Sequence, residues 1–234
     1  MTTIIKDETL AAIGNAIREK TGKTNKLTPA EMATEIAGIT TGGDTLNDYL
    51  AGTLKAFKND EVTSIKYHFF QGKENLEAVS CKSATTVEDG GFDGCSSLKK
   101  VALPSLTTIK DFAFNNCYSL TSEPFGNFEH IKHVGSYAIA YCKKFSLTKM
   151  LGAVTIYPNA FSGDILLRKL FIKGEGTKLL TVAFNGCENL TDVYTDAAEK
   201  PADWADNAFL ATTTIHYGVT EAEFDEILAA GGAE

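Results

Sequence analysis

The chain has no uninterrupted apolar stretch of the roughly 18 or more residues that a membrane-spanning helix requires. It is also poor in positive charge, because 22 lysines and arginines against 30 acidic residues give a net charge of −8. Nucleic-acid binding needs clustered basic side chains that neutralise phosphates. The composition therefore argues against a nucleic-acid partner, and the missing apolar run argues against a membrane span.

The N-terminus and the cysteines exclude two further classes. Residues 1–7 show no basic leader followed by an apolar stretch, so we expect no signal peptide. The protein should then stay in the cytoplasm or leave the cell by another route. An odd number of cysteines without a CxxC motif argues against a disulfide framework. The five are Cys81, Cys95, Cys117, Cys142 and Cys187.

Motifs for chemistry are absent as well. No nucleophile-elbow, zinc-protease, phosphate-loop or dinucleotide motif occurs. His130 and His133 have i, i+3 spacing, but no third metal ligand is near them in sequence. We therefore predict no catalytic residue, no cofactor and no metal ion, and an enzyme is the least favoured class of function.

A repeat dominates the sequence. Residues 106–124 carry the skeleton Ile109, Ala113-Phe114, Cys117 and Leu120, and this skeleton recurs before and after. Successive large apolar residues are 22, 22, 25, 22, 23 and 25 positions apart. They are Phe70, Phe92, Phe114, Ile139, Phe161, Phe184 and Phe209. A recurrence of this length predicts a solenoid, in which each repeat buries its single apolar face by stacking on its neighbours.

Each repeat suggests one strand and one turn. Residues 98–103 and 190–194 are predicted to be short strands, which stacking would pair into a parallel sheet with a spacing of about 4.8 Å. The Ala-Phe-x-x-Cys segment is predicted to be a tight helical turn that Asn or Gly closes. Cysteine at one repeat position indicates a small buried apolar residue rather than a disulfide or metal ladder.

The repeats also depart from the pattern in places. Asp164 replaces the cysteine in the fifth repeat, and Gly90-Gly91 replaces the usual x-Ala before Phe92. The spacing stretches around residues 125–130 and 195–203, which predicts local bulges. Residues 197–201 should form a surface loop.

The first 39 residues predict a small helical hairpin. Leu10, Ile13 and Ile17 share one helical face, and a second helix begins with the capping box of Thr28 and Glu31. Met32 and Ile36 continue its apolar stripe. The hairpin is too small to bury its own core, so it should pack on the solenoid end, on a copy of itself or on a partner. Residues 40–44 form a glycine-containing joint that favours a docking or oligomerisation module.

The solenoid itself is assigned to residues 45–218. Its first part, residues 46–57, is compatible with a helix or with an irregular first rung that contains a strand. Residues 219–234 should form a C-terminal capping helix, because Thr220 and Glu223 make another capping box before Phe224, Ile227 and Leu228. We expect this helix to cover the last rung and protect the exposed end.

Two family resemblances follow from these motifs. The pattern Leu-x-x-Ile-x-x-x-Ala-Phe-x-x-Cys-x-x-Leu-x-x-Val over residues 61–217 resembles the BspA-like (treponemal-type) leucine-rich repeat. It implies a leucine-rich-repeat solenoid of parallel β strands with short helical turns and about seven rungs, preceded by the hairpin and closed by the C-terminal helix. Residues 10–32 resemble a module of tail and baseplate proteins of phages that infect Gram-positive bacteria.

The second resemblance implies a function. It suggests a phage virion protein of the tail or baseplate, made in the host cytoplasm, whose solenoid recognises a host cell-surface glycan or protein. The hairpin would bind other tail or baseplate proteins and form a homo-oligomer, with a trimer favoured. The alternatives are a bacterial BspA-like surface adhesion protein, for which a signal sequence or wall anchor is expected, and a protein-binding scaffold.

Candidate site residues are those that the core pattern leaves free. Aromatic side chains beside polar groups suit the recognition of sugars and proteins. The candidate binding residues are Tyr67, His68, Tyr118, Tyr137, Tyr141, Tyr157, Lys99, Arg168, Lys169, Phe171 and Tyr194. The candidate docking residues are Leu10, Ile13, Ile17, Met32 and Ile36.

Overall fold

A computed structural model describes residues 51–231, and these form a parallel β solenoid of about seven turns. Each full turn, or rung, has a strand on one side, a short strand on another side and a tight turn that joins them. Every strand pair is parallel, as the repeat predicts. In the described part of the chain, no helix is long and apolar enough to cross a membrane.

The strands that follow the repeat leucines form two sheets on one side of the solenoid. The N-terminal face sheet consists of β1 (Ala56–Lys58), β3 (Ala78–Ser80) and β5 (Lys100–Ala102). The C-terminal face sheet consists of β8 (Lys149–Met150), β10 (Lys169–Ile172), β12 (Asp192–Tyr194) and β13 (Thr214–His216). Strands β5 and β12 confirm the two strand predictions. The register pairs Val79 with Val101, and Leu170 with Val193, on the inner side.

A third sheet was not predicted. The apolar residue five positions before each large core residue ends a two-residue strand, and six of these strands form the back sheet. They are β2 (Ser64–Ile65), β4 (Thr86–Val87), β6 (Thr108–Ile109), β7 (His133–Val134), β9 (Thr155–Ile156) and β11 (Lys178–Leu179). The strands are so short that their sequence shows no alternation, and only stacking between rungs reveals them.

The Ala-Phe-x-x-Cys segments are not helical, and this part of the prediction is wrong. The backbone N–H groups of residues 68, 70 and 72 donate to the carbonyls of residues 89, 91 and 93 in the next rung, at 2.7–3.0 Å. The turn is therefore a further ladder between rungs. The residues two before and two after the core Phe have positive φ, as at Gly90 (62°) and Gly94 (74°), so the turn does not have the backbone conformation of a right-handed helix. The prediction that Asn or Gly closes the corner is confirmed at Gly72, Gly94, Asn116, Gly163 and Gly186.

Stacked phenylalanines fill the centre of the solenoid. Phe70, Phe92 and Phe114 follow one another with ring centroids 5.2 and 5.1 Å apart, and all three are fully buried. The column resumes with Phe161 and Phe184, whose ring centroids are 5.1 Å apart. Each ring fits against the next because the repeat length places equivalent residues directly above one another.

The column is interrupted where Ile139 replaces phenylalanine. The stretched segment before it turns through a 3₁₀ helix, Glu123–Phe125, in place of a face strand, so the face sheet is divided in two. Phe125 packs edge-on against Phe114 at 5.4 Å, and Phe128 and Phe145 lie 6.1 and 6.0 Å from Phe161. Phe125 and Phe128 of the stretched segment thus join the core beside Ile139, together with Phe145, which occupies the repeat leucine position. The predicted irregularity at residues 125–130 is confirmed, and residues 198–200 are exposed in a loop as expected.

The C-terminal helix α1 (Glu221–Gly231) is present, but it does not cover the last rung. It lies across the C-terminal face sheet, where Phe224 is fully buried against Phe171 and Tyr194. Lys149 of β8 pairs with Glu221 and Asp225, each at 2.7 Å. The predicted capping box is confirmed, since the Thr220 N–H donates to Glu223 at 2.8 Å and the Glu223 N–H donates to the Thr220 hydroxyl at 3.3 Å.

The predicted hairpin and joint, residues 1–44, lie outside the described residues. For the undecided segment 46–57, the described part has helical backbone at Ala51 and the strand β1 from Ala56, so it contains both of the elements that the sequence allowed.

Replacing Phe114 by alanine should lower the free energy of unfolding by about 3–5 kcal/mol, because a fully buried ring leaves a cavity between its neighbours. Phe112→Ala, two residues away and 43% exposed, should change it by about 1 kcal/mol or less. Denaturant unfolding of both variants measures the difference. Equal losses would show that the ring column does not form the core.

Candidate binding surface

Exposed apolar side chains are concentrated on three consecutive turns of the solenoid. The described residues include six large apolar side chains that are exposed, and five of them lie between residues 112 and 166. These five are Phe112 (43%), Tyr118 (39%), Tyr141 (45%), Ile165 (46%) and Leu166 (39%). They occupy turn positions that the repeat does not use for its core, so their exposure is not needed for folding.

The backbone of the turns directs these side chains outward. Phe112, Tyr137 and Tyr141 have φ values of 56°, 53° and 58°, in the left-handed region that costs an ordinary residue about 1–2 kcal/mol. Bonds between rungs hold this conformation, because the Phe112 N–H donates to the Ser136 carbonyl at 2.9 Å and the Tyr141 N–H donates to the Ser162 carbonyl at 2.8 Å. The rings are thus presented on a rigid backbone.

Aromatic side chains on the turns of the third and fourth rungs make two contacts between these rungs. The rings of Phe112 and Tyr137 stack with centroids 5.2 Å apart and planes 3° apart. The Lys143 ammonium lies 4.5 Å from the centre of the Tyr118 ring, which is a cation–π contact. Together with Tyr141, these residues form what we call the turn-edge surface: Phe112, Tyr118, Tyr137, Tyr141 and Lys143.

Two glycines are explained by the rings that lie on them. A Cβ atom at Gly163 would lie 2.6 Å from the Tyr141 ring, and one at Gly90 would lie 2.2 Å from the His68 ring. Both glycines also have positive φ (71° and 62°). The departure at Gly90 therefore makes room for His68 of the preceding rung.

The remaining candidate residues are spread over other parts of the surface. Tyr67 and His68 are half-buried and stack on each other at 3.8 Å, two rungs before Phe112. Tyr157 is half-buried against His133 of the back sheet, at 4.6 Å. Of the predicted aromatic set, only Tyr118, Tyr137 and Tyr141 lie on the turns of the third and fourth rungs.

The charged candidates lie on the face side. Lys99 is exposed and pairs with Glu77 at 2.7 Å beside the N-terminal face sheet. Arg168 is exposed and Lys169 is half-buried at the C-terminal face sheet. They therefore do not belong to the turn-edge surface.

Two predicted surface residues are buried. Phe171 and Tyr194 keep only 2% and 7% of their exposure, because Phe224 of α1 packs on them at 5.6 and 5.2 Å. The expectation that they are exposed is wrong, and the reason is the position of α1. The side chains of Phe171 and Tyr194 point away from the solenoid core, as the repeat pattern indicated. They are buried with Phe224 in a second, smaller hydrophobic cluster.

Four residues that contribute to or adjoin this surface were missed: Phe112, Lys143, Ile165 and Leu166. Phe112 occupies the same repeat position as Tyr137 and His68, so the criterion that selected those two also applies to it. Ile165 and Leu166 look like core residues in the sequence because they precede the buried Leu167.

Comparison with known proteins decides the family. A family model for the BspA type leucine rich repeat region matches residues 63–191 in six copies. The chain belongs to this family. No curated protein matches the chain. The family match covers the part of the solenoid that carries the turn-edge surface.

Several solved leucine-rich-repeat structures are similar. A leucine-rich repeat protein of T. pallidum shares 17% identity over 75% of this chain and 83% of its own, with a TM-score of 0.48. One from Bacteroides ovatus shares 13% identity over 77% and 74%, with a TM-score of 0.40. A leucine rich cell surface protein of Faecalibacterium prausnitzii shares 15% over 74% and 81%, with a TM-score of 0.28.

The cysteines of the BspA-type repeat are structural, as predicted. The thiols of Cys95, Cys117, Cys142 and Cys187 are buried and donate to the core-residue carbonyls of preceding rungs at 3.0–3.2 Å. Burial raises the pKa of Cys187 to about 12. Within residues 51–231, no three His, Cys, Asp or Glu side chains are close enough to hold a metal ion.

Asp164 takes over a different role in the fifth rung. The Cys142 N–H donates to its Oδ1 at 2.8 Å, whereas the other repeat cysteines donate their N–H to the core Phe of their own rung. Its Oδ2 is buried and accepts no hydrogen bond. Burial raises the pKa of this carboxyl well above its usual range, although the bond from Cys142 opposes the change.

Asp164→Asn should stabilise the protein at neutral and alkaline pH. The pKa of Asp164 is higher in the folded protein than in the unfolded chain, where it is about 3.9. The protonated carboxyl therefore contributes fully to the free energy of unfolding below the unfolded pKa, and this contribution is lost as the pH rises through the folded pKa. The amide keeps the acceptor for Cys142 but carries no charge. We expect a gain on the order of 1–3 kcal/mol at pH 8 that shrinks towards pH 4, measured by denaturant unfolding.

Asp203→Asn, at an exposed carboxyl that pairs with exposed Lys178 at 3.6 Å, is the control, and its stability should follow that of the wild type at both pH values. A wild-type protein as stable as Asp164→Asn at pH 8 would contradict the assigned burial cost.

Proposed function

We propose that the chain is a non-enzymatic recognition protein of a phage tail or baseplate, and that its turn-edge surface binds a glycan or protein of the host cell surface. One observation carries the proposal. Five of the six exposed large apolar side chains of the described residues lie on three consecutive turns, where the core does not require them.

The chemistry of this surface suits a sugar or a protein loop. Tyrosine presents an apolar face together with a hydroxyl group, and stacked rings of fixed orientation lose little entropy on binding. The Lys143 ammonium beside Tyr118 adds a hydrogen-bond donor and a charge. No cofactor, nucleic acid or membrane takes part in the proposed role.

The N-terminal module supplies the attachment. We assign Leu10, Ile13, Ile17, Met32 and Ile36 to contacts with other tail or baseplate proteins and between copies of the chain, with a trimer favoured. The support is the apolar stripe of a hairpin too small to fold alone and its resemblance to phage modules. The protein would be made in the host cytoplasm and carried in the virion.

The family favours a second candidate as strongly. A BspA-type repeat array over more than half of the chain equally supports a bacterial surface adhesion protein or a protein-binding scaffold. Either alternative would use the turn-edge surface for a different ligand, so retention on cell walls is the result expected of the phage role. Genes for a tail tape measure or a holin–lysin pair beside the coding sequence would support the phage role.

Tyr118→Ala and Tyr141→Ala should each weaken binding to intact Gram-positive cell walls about tenfold, because each removes an exposed ring worth about 1.4 kcal/mol at such a surface. Retention of the purified chain on walls measures this. Tyr217→Ala is the matched control, since Tyr217 is also exposed (37%) but lies outside the turn-edge surface.

Protease treatment of the walls distinguishes the two ligand classes, because only a glycan ligand survives it. Retention that is equal in all three variants, or absent on every candidate host, would refute the proposed recognition role of this surface.

The full chain should be trimeric at micromolar concentration, and a chain that begins at Asp44 should be monomeric, because the shortened chain lacks the apolar stripe. Light scattering gives both masses. If the full and the shortened chain are both monomers, or both trimers, the N-terminal module is not the part of the chain that forms the oligomer.

A further inference from the structure

The buried carboxyl of Asp164 departs from the chemistry of the repeat. Asp164 is fully buried (0% exposed), and its Oδ2 atom accepts no hydrogen bond within the described residues. Four other rungs have a cysteine here, and each thiol donates to the core-residue carbonyl of the preceding rung. A buried carboxyl with one unpaired oxygen costs stability, and the other rungs avoid this cost.

Only the side chain of Asp164 is exceptional. Its N–H donates to the Phe161 carbonyl at 3.3 Å, as the cysteine N–H groups of the regular rungs donate to the core residue three positions earlier. Its Oδ1, however, accepts the Cys142 N–H at 2.8 Å, which is a bond from the fourth rung to the fifth. Cys142 therefore donates to a side chain of the next rung rather than to the core residue of its own rung.

This bond sets the orientation of the peptide group that joins Tyr141 to Cys142. The peptide group is planar, so the direction of the Cys142 N–H fixes the plane in which the Tyr141 carbonyl lies. The preceding N–H, that of Tyr141, donates to the Ser162 carbonyl at 2.8 Å. Two consecutive N–H groups thus bind the fifth rung, whereas the turns of the first and third rungs use alternate ones.

The ring of Tyr141 lies against the residue before Asp164. A Cβ atom at Gly163 would lie 2.6 Å from this ring, so the ring occupies the space beside the Gly163 backbone. The equivalent glycines of the second and sixth rungs, Gly94 and Gly186, would meet only backbone atoms, at 3.4 Å or more. Tyr141 is therefore held to the fifth rung at two adjacent points, its ring at Gly163 and its peptide group at Asp164.

We propose that Asp164 is a positioning residue for the turn-edge surface, and that through the Cys142 N–H it holds the Tyr141 ring against Gly163 in the orientation that binds the ligand. The inference rests on the proposed function and adds to it a buried residue that sets the geometry of the site. Places where a chain breaks a rule that the rest of its fold obeys are commonly functional. The lower stability is then the consequence of fixing an exposed ring.

Two substitutions separate the acceptor from the charge. Asp164→Cys introduces the residue of four other rungs, so the variant should fold, with its thiol donating to the Ile139 carbonyl as the other thiols do in their rungs. Asp164→Asn keeps an oxygen acceptor for the Cys142 N–H. We expect Asp164→Cys to be at least as stable as the wild type at pH 8, yet about tenfold less retained on intact Gram-positive cell walls. Asp164→Asn should keep the retention of the wild type.

A double variant tests whether the effect passes through Tyr141. Asp164→Cys combined with Tyr141→Ala should be retained as Tyr141→Ala alone is, because no ring is left to be misplaced. Cys187→Ala, which removes a buried thiol from the sixth rung, is the control for lost stability. It should lower the denaturant midpoint without changing retention.

A measurement without ligand keeps the test independent of the proposed function. In the wild type and in Asp164→Asn, nuclear Overhauser contacts should join the Tyr141 ring protons to the Hα protons of Gly163. These contacts should be lost in Asp164→Cys. If that variant does not fold, Asp164→Ser, which is similar in size and also carries a donor, replaces it.

Each outcome decides the question. Ring contacts or wall retention that stay unchanged in Asp164→Cys would overturn the positioning role. Equal losses in Asp164→Asn and Asp164→Cys would also overturn it, because asparagine keeps the acceptor. If the wild type is not retained on any wall, the recognition role fails, and the ring contacts alone then decide whether Asp164 positions Tyr141.

Discussion

The structure depends on the register between successive rungs. Backbone N–H groups in the turns donate to the next rung at 2.7–3.1 Å, and the same stacking places the rings of Phe70, Phe92 and Phe114 on one another with centroids 5.1–5.2 Å apart. A repeat that slipped by one residue would lose both the ladder and the ring column. The register therefore fixes which side chains are core, and it leaves the others free for function.

The same ladder stabilises backbone conformations that an isolated turn would avoid. Aromatic residues at positive φ, such as Phe112 and Tyr137, are costly locally, yet the bonds between rungs determine them. The turn-edge surface is thus rigid because the scaffold is rigid. This is a useful property for recognition, since little conformational freedom remains to be lost on binding.

On the face side, helix α1 covers the outer surface of one of the two sheets. Helix α1 buries Phe171 and Tyr194, which would otherwise be an exposed apolar patch, and Lys149 orients the helix through two acids. The 3₁₀ helix at Glu123–Phe125 separates this covered sheet from the N-terminal face sheet. The interruption thus compensates for Ile139 in the core and also divides the face into two regions that can serve different purposes.

The sequence by itself determined the solenoid, its parallel strands, the core positions and the structural cysteines, because a single-sided apolar repeat has only stacking as a way to bury itself. It also identified Tyr118, Tyr137 and Tyr141 as residues free of the core. Only the tertiary structure decided that the turns are ladders with positive φ, that Asp164 accepts from Cys142 in the neighbouring rung, and that α1 lies on a face. These features depend on contacts between residues 21 or more positions apart, such as Phe70 and Gly91 or Cys142 and Asp164, and local sequence patterns do not predict such contacts.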